Sequence, residues 1–261
     1  MRNLTIIFIA TVQTWPGSGH NKSPTATPAN SEIVTDRPDI TESAIAVPVG
    51  SLQFENGFTW TSDHGRQSVD LSESLLRFGI FGRTELRLVL PNYSGGVGAR
   101  SLGSGFEDLA FGLKQQLGPL PGGVDLSVII ALSFPSGGRD VSSGGYDPFV
   151  KFPWSKELEH GWSFGGMQSL FWNTDEGKRS RVWEPTFYVE KQITKPLDAF
   201  IEYAADYAQR SESKQVAHFG TALKLNATSQ VDFHFGFGLN SATPSHFFAV
   251  GYSLRVDRWR R

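Results

Sequence analysis

The sequence predicts an all-β protein: a transmembrane, antiparallel, up-and-down β-barrel of about twelve strands with an N-terminal signal peptide and a polar lead-in. Three observations carry that expectation. From Ser51 onward, apolar and polar residues alternate with a period of two, with no convincing helical repeat. Most alternating segments run for about 9–12 residues, the length a tilted strand needs to cross a bilayer. The connections between them alternate between short turns and longer polar loops, as the two rims of an outer-membrane barrel do.

Composition narrows the classes. The 261 residues carry a formal net charge of −2, so no basic field points to nucleic acid. There is no cysteine, which excludes disulfides, thiolate catalysis and Cys-ligated zinc. No run of about 18 predominantly apolar residues exists, so a helical membrane span is excluded, whereas a barrel is not.

Met1–Val12 reads as a secretory signal: Arg2 supplies the positive start, Leu4–Val12 the apolar stretch, and Gly17 and Gly19 small residues for cleavage. Pro16–Asn30 is a Pro/Ser/Thr/Gly linker with nothing to bury. The expected division is a signal peptide over 1–19, a polar linker and plug segment over 20–47, and a barrel over 48–261. Export without cysteines fits the outer membrane of a Gram-negative-type cell.

The strands follow in order. They are expected to start near residues 51, 69, 84, 106, 124, 147, 161, 182, 198, 216, 231 and 247. Leu52, Phe54, Phe58 and Trp60 alternate with Gln53, Glu55, Gly57 and Thr59 in the first; Val124, Leu126, Val128, Ile130, Leu132 and Phe134 form the longest apolar face. Phe233, Phe235 and Phe237 alternate with Asp232, His234 and Gly236 near the end. Pro148, Pro153 and Pro185 interrupt the sixth and eighth strands, because proline cannot donate to a ladder. Short turns are expected at Gly79–Arg83, Gly118–Gly123, Lys156–His160, Ile193–Leu197 and Asn226–Gln230, and long loops at Asn92–Gly105, Pro135–Gly145, Asn173–Arg181 and Ala208–Gln215. An even strand count returns both ends to the periplasmic side.

Alternation alone does not say which face is wet, since a soluble β-sandwich has the same period. The polar face is rich in Gly, Ala and Ser and carries charges of both signs: Glu55, Arg77, Glu85, Arg87, Asp108, Lys114, Glu190, Glu202, Asp206, Lys224, Asp232 and Arg255. Such a face suits a crowded lumen. The other face is nearly free of charge, and aromatics such as Trp60, Trp154, Trp162, Trp183 and Tyr207 fall near its ends, where membrane barrels carry aromatic girdles. The expectation is therefore a lipid-facing apolar side. The lumen charges either select a permeant or satisfy one another, because buried ions must pair. Asp36, Arg37, Asp39 and Glu42 precede the first strand and are candidates to fold back as a periplasmic plug against Arg77, Arg87 or Lys114; a solvated tether is the alternative.

Catalytic and metal motifs are weak. Outer-membrane phospholipases place a serine two residues beyond a histidine, but here Arg66, Trp162, Gly220 and Gly236 stand two beyond His64, His160, His218 and His234. No H-x-x-x-H spacing exists, and the glycine-rich loops lack the Lys-Ser/Thr of a phosphate cradle. No cofactor or metal is expected.

Glu32–Phe58 (EIVTDRPDITESAIAVPVGSLQFENGF), Leu75–Tyr93, Gly105–Lys114, Ala199–Tyr203 and Val231–Asn240 occur in an order that resembles the phenol meta-pathway (MetA-type) outer-membrane family, with Asp36-Arg37-Pro38-Asp39 followed by Glu55 the most specific part. The resemblance implies an outer-membrane β-barrel that passes small hydrophobic or aromatic compounds. One departure is the end, Val256–Arg261, where Trp259 stands short of the usual terminal aromatic. Together these readings point to a passive channel, with outer-membrane lipid, a small-molecule permeant and the barrel-assembly machinery as partners. An apolar permeant is expected to leave sideways where Pro148, Pro153 and Pro185 weaken the wall. A structural or adhesive barrel, an outer-membrane hydrolase and a soluble secreted β-sandwich are the rival classes.

Overall fold

The computed structural model describes residues 32–97, 103–175, 177–209 and 211–257. The Met1–Val12 signal, the Pro16–Asn30 linker and Trp259 lie outside the described residues. Strands are β1 (Leu52–Asp63), β2 (Arg66–Phe81), β3 (Thr84–Val89), β4 (Tyr93–Val97), β5 (Gly105–Phe106), β6 (Leu109–Gln116) and β7 (Val124–Phe134), then β8 (Asp147–Glu157), β9 (Trp162–Asp175), β10 (Lys178–Thr194), β11 (Leu197–Ala208), β12 (Lys214–Asn226), β13 (Ser229–Gly238) and β14 (His246–Val256).

All strand ladders are antiparallel, and β1 pairs with both β2 and β14, so the sheet closes on itself. The fourteen segments occupy twelve wall positions. The difference arises because β3 and β4 both pair with β2 and form one wall strand broken at Leu90–Asn92. The next wall strand, β5 plus β6, is broken at Glu107–Asp108. Pro91 in the first break removes an amide from the ladder, and Asn92 bridges the gap: its side-chain carbonyl accepts from the Glu73 amide at 3.2 Å.

The expected strand starts are met to within a few residues. The loop regions differ. The expected Asn92–Gly105 loop contributes β4 and β5, and Asn173–Arg181 is mostly hairpin, with Lys178 paired to Asp175. The prolines act where expected in two of three places. Between β7 and β8, Leu126 pairs with Trp154 and Ile129 with Lys151, with no pair opposite Pro153. Between β10 and β11, Trp183 pairs with Tyr207 and Thr186 with Ala204, with none opposite Pro185. Pro148 stays in register opposite Leu132.

Burial settles the phase. Ile130 is 62% and Ile201 61% exposed, while Arg77, Glu85 and Lys114 are 0% exposed. Phe54, Phe219 and Phe235 also point outward, so the sheet is inside out relative to a soluble sandwich. Aromatic pairs sit towards the rims of this belt: Trp183 stacks on Tyr207 at 5.2 Å near the loop end, and Lys191 lies 5.1 Å over Trp162 near the opposite end. Among the described residues no helix is long and apolar enough to cross a membrane.

A charge on the mid-belt face tests this phase. Ile130→Lys, at the centre of β7, is expected to cost about 2–4 kcal/mol of folding stability in lipid. Urea titration with heat-modified gel mobility reads the loss; a cost within about 0.5 kcal/mol, normal for a soluble surface, contradicts the lipid-facing assignment.

Candidate functional site

The lead-in enters the lumen because its own apolar residues have somewhere to go. Ile33, Ala44, Ala46 and Val47 are buried within the barrel. The Ile33 amide donates to the Ala227 carbonyl at 2.9 Å in the β12–β13 turn, and the segment leaves past β2, where the Gly50 amide donates to the Gly79 carbonyl at 2.8 Å. Glycine is required at position 79: a methyl there would overlap the Val47–Pro48 backbone.

One side of the segment is clamped by cations. The Arg87 guanidinium donates to Asp36 at 2.6 Å, to Glu85 at 2.8 Å and to Glu42 at 2.7 Å. Arg77 donates to Glu85 at 2.9 Å, to Glu55 at 3.0 Å and to the Ile45 carbonyl at 2.8 Å, and lies 3.2 Å from Asp36. Lys114 reaches Asp36 at 3.0 Å and the Ser43 carbonyl at 2.8 Å, and Lys151 reaches Glu42 at 2.7 Å. The wall carboxylates answer the segment's amides: Glu55 accepts from the Asp36 amide at 2.9 Å and Glu85 from the Val47 amide at 2.7 Å. Burial by itself would raise the Asp36 carboxyl's pKa; Arg77, Lys114 and Arg87 outweigh it and hold the group well below the usual carboxylate range.

The other side meets carboxylates. Glu202 accepts the Ile40 and Thr41 amides at 2.7 and 2.8 Å and the His218 Nε2 contact at 2.6 Å. The Thr41 hydroxyl is bonded to both Glu202 and Thr186. Asp39 Oδ1 has no hydrogen-bond partner among the described residues. Burial, followed by Glu202, Glu190 and Asp232, pushes its pKa well up, the reverse of Asp36 three residues earlier. Arg37 donates to Glu73 at 2.6 Å and lies 3.4 Å from Asp232. Its guanidinium fits a notch formed by Gly57 and Gly251, which pair across the β1–β14 seam; a methyl at either would overlap it.

The remaining expected lumen charges are placed apart from this cluster. Lys224 bonds Glu32 at 3.0 Å and lies 3.5 Å from Asp198. Arg255 donates to Asp257 at 2.8 Å and to the Glu32 carbonyl at 3.2 Å. Glu190 accepts from Ser163 at 3.4 Å, and Asp206 stands opposite Lys214 in the ladder. Asp108 falls in the β5–β6 break, where it accepts from the Gly137 and Ser143 amides at 2.9 and 3.0 Å, anchoring a loop rather than pairing with a wall cation. The sequence reading did not single out Lys151, Gln116, Thr186 or Glu73. Lys151 and Thr186 share the inward phase of their strands and were legible from it. Glu73 was not, because the positive φ of Ser72 (79°) and Glu73 (25°) makes a bulge that breaks the alternation.

The segment leaves space on its acidic side. A cavity of about 250 Å³ is bordered by the segment itself and by Tyr188, Glu190, Asp198 and Lys224. Toward the loops, a cavity of about 310 Å³ is bordered by Phe171, Glu184, Asp206 and Lys214. Among the described residues no group of three His, Asp or Glu side chains is placed to hold a metal ion. Asp36→Ala leaves Arg77, Arg87 and Lys114 short of a counter-ion; the expected cost is about 3–5 kcal/mol, read as a lower temperature of gel-mobility conversion.

Comparison with known proteins agrees with this architecture. No curated protein sequence matches the chain. The COG4313 outer membrane channel from Pseudomonas putida F1 is similar in fold, with a TM-score of 0.67 at 14% identity, covering 82% of this chain and 98% of that one. The NanC porin gives 0.54 at 10% identity over 78% of this chain and 100% of its own. The β domain of the Bordetella autotransporter BrkA gives 0.51 at 13% identity over 78% and 99%. At these identities the likeness shows the fold alone. The family model described as "Putative MetA-pathway of phenol degradation" matches residues 35–256, from the lumenal segment through the last strand, and the chain belongs to that family.

Proposed function

We propose that this protein is a passive outer-membrane channel for small hydrophobic or aromatic molecules, closed in this form by the segment 32–47 acting as a plug from the periplasmic side. The observation that carries the reading is a cavity beside the segment and a second toward the loops, both bordered by β10 and β11, with the Thr41, Thr186 and Glu202 contacts lying between their lining residues on those two strands. The neighbours named as a channel and a porin have the same closed wall. The family's link to phenol degradation supports an aromatic permeant. Export through a cleaved signal over 1–19 and insertion by the barrel-assembly machinery complete the proposal.

The hydrolase reading has little support. His218, the most buried histidine of the lumen, is bonded to Glu202 and lies 3.4 Å from His234, an arrangement that leaves Thr41 bonded to the carboxylate and not to the ring. Thr41 therefore lacks the hydroxyl–imidazole–carboxylate order of a catalytic triad.

Deleting residues 31–46 is expected to raise single-channel conductance severalfold in planar bilayers; unchanged conductance contradicts the plug. For an apolar permeant, the missing ladder pairs at Pro153 and Pro185 offer a sideways exit. Pro148→Val, Pro153→Thr and Pro185→Thr together are expected to slow uptake of an apolar fluorescent probe such as N-phenylnaphthylamine while leaving ion conductance unchanged; unaltered uptake rejects the exit.

A further inference from the structure

The two sides of the lumenal segment are held very differently. Asp36, Glu42 and Ser43–Val47 are bound by Arg77, Glu85, Arg87, Lys114, Gln116 and Lys151, which belong to β2, β3, β6 and β8. Arg37 is anchored as well, on Glu73 of β2 beside Asp232 of β13, and between it and Glu42 residues 38–41 bow across to the opposite wall. There the turn at Ile40–Thr41 is held by one carboxylate, Glu202 on β11, and one hydroxyl, Thr186 on β10. Neighbouring Asp39 faces Glu190, Glu202 and Asp232, a like-charge environment that opposes this seat.

The two cavities are aligned along the same strands. On β10, Glu184 borders the loop-side cavity and Tyr188 and Glu190 the periplasmic one, with Thr186 between them. On β11, Asp206 borders the first and Asp198 the second, with Glu202 between them. Ile40–Thr41 can leave this wall with the ion pairs of Asp36, Arg37 and Glu42 intact, since none of those pairs uses Glu202 or Thr186.

We infer that the plug opens as a hinged leaf: residues 38–41 swing off Glu202 and Thr186 while Asp36, Arg37 and Glu42 stay anchored, so the permeation path runs along the β10–β11 wall. This inference rests on the channel reading above. It names the regulation of that channel and the chemistry of its path, which passes Glu184, Asp206, Glu212 and Lys214 on one side of the leaf and Asp39, Glu190, Asp198 and Lys224 on the other, an excess of carboxylates on both. An opening on this wall therefore favours cations, whereas an opening at the Arg77–Arg87–Lys114 wall would favour anions.

The absence of native cysteine makes the test clean. Thr41→Cys with Thr186→Cys places two thiols where the hydroxyls now bond, and the full-length double variant is recorded in planar bilayers before and after dithiothreitol. Glu202→Gln is recorded alone and on the double-variant background. The expected results are a severalfold conductance rise in Glu202→Gln carried mainly by potassium in a KCl gradient, loss of that rise when the staple is oxidised, and its return on reduction. Equal conductance in the oxidised and reduced states, or a chloride-carried increase, overturns the leaf. Failure of the channel reading is distinguishable, because the 31–46 deletion then conducts no ions at all. If the deletion conducts while neither the staple nor Glu202→Gln changes the current, the channel stands and the leaf is rejected.

Discussion

An ion taken out of water must be paired, and this barrel turns most of its charged wall residues inward. Removing a unit charge from water costs several kcal/mol even after relaxation, so each inward Arg or Lys commits the fold to supplying a carboxylate within contact distance. The wall supplies only part of what is needed. Arg77 has Glu55 and Glu85, but Arg87 and Lys114 are completed by Asp36 and Glu42 from the lead-in. The segment before the first strand is thus a component of the folded interior, drawn in by the same electrostatic requirement that makes the strands alternate.

The outer surface follows the complementary rule. With the sheet closed through β1, backbone polarity is satisfied within the wall, and exposed Ile130, Ile201, Phe187 and Phe219 are stable only against lipid. The same alternation therefore yields a dry exterior and a polar interior. The seam between the first and last strands is where the two demands meet: paired glycines there give room for Arg37, which reaches Glu73 on one flank and Asp232 on the other.

Much of this was legible from residue order, and the parts that were not have identifiable physical causes. Period and phase gave the strand starts and the inward placement of Arg77, Glu85, Lys114 and Asp232, because register in a half-polar strand leaves a single consistent choice of face. The DRPD segment before β1 was readable as a plug candidate from its charges. What alternation cannot reveal is a residue out of phase. The Ser72–Glu73 bulge, the Leu90–Asn92 break and the diversion of Asp108 to loop amides all depend on local backbone geometry that a two-residue pattern does not encode. The Thr41–Thr186–Glu202 waist was hidden for a different reason: it joins residues far apart in sequence, and threonine carries no charge to mark it.

The account stands on the direction each face points, and accessibility measured in a bilayer reads that directly. Single cysteines introduced along β7 and β11 at Ser127, Ile130, Ala131, Ile201 and Ala204, each carrying a nitroxide, can be probed by power-saturation spectroscopy with oxygen in reconstituted vesicles. High oxygen accessibility at Ile130 and Ile201, with low values at Ser127, Ala131 and Ala204, is the predicted pattern. The opposite alternation, or uniform accessibility to a water-soluble relaxant along both strands, would contradict it.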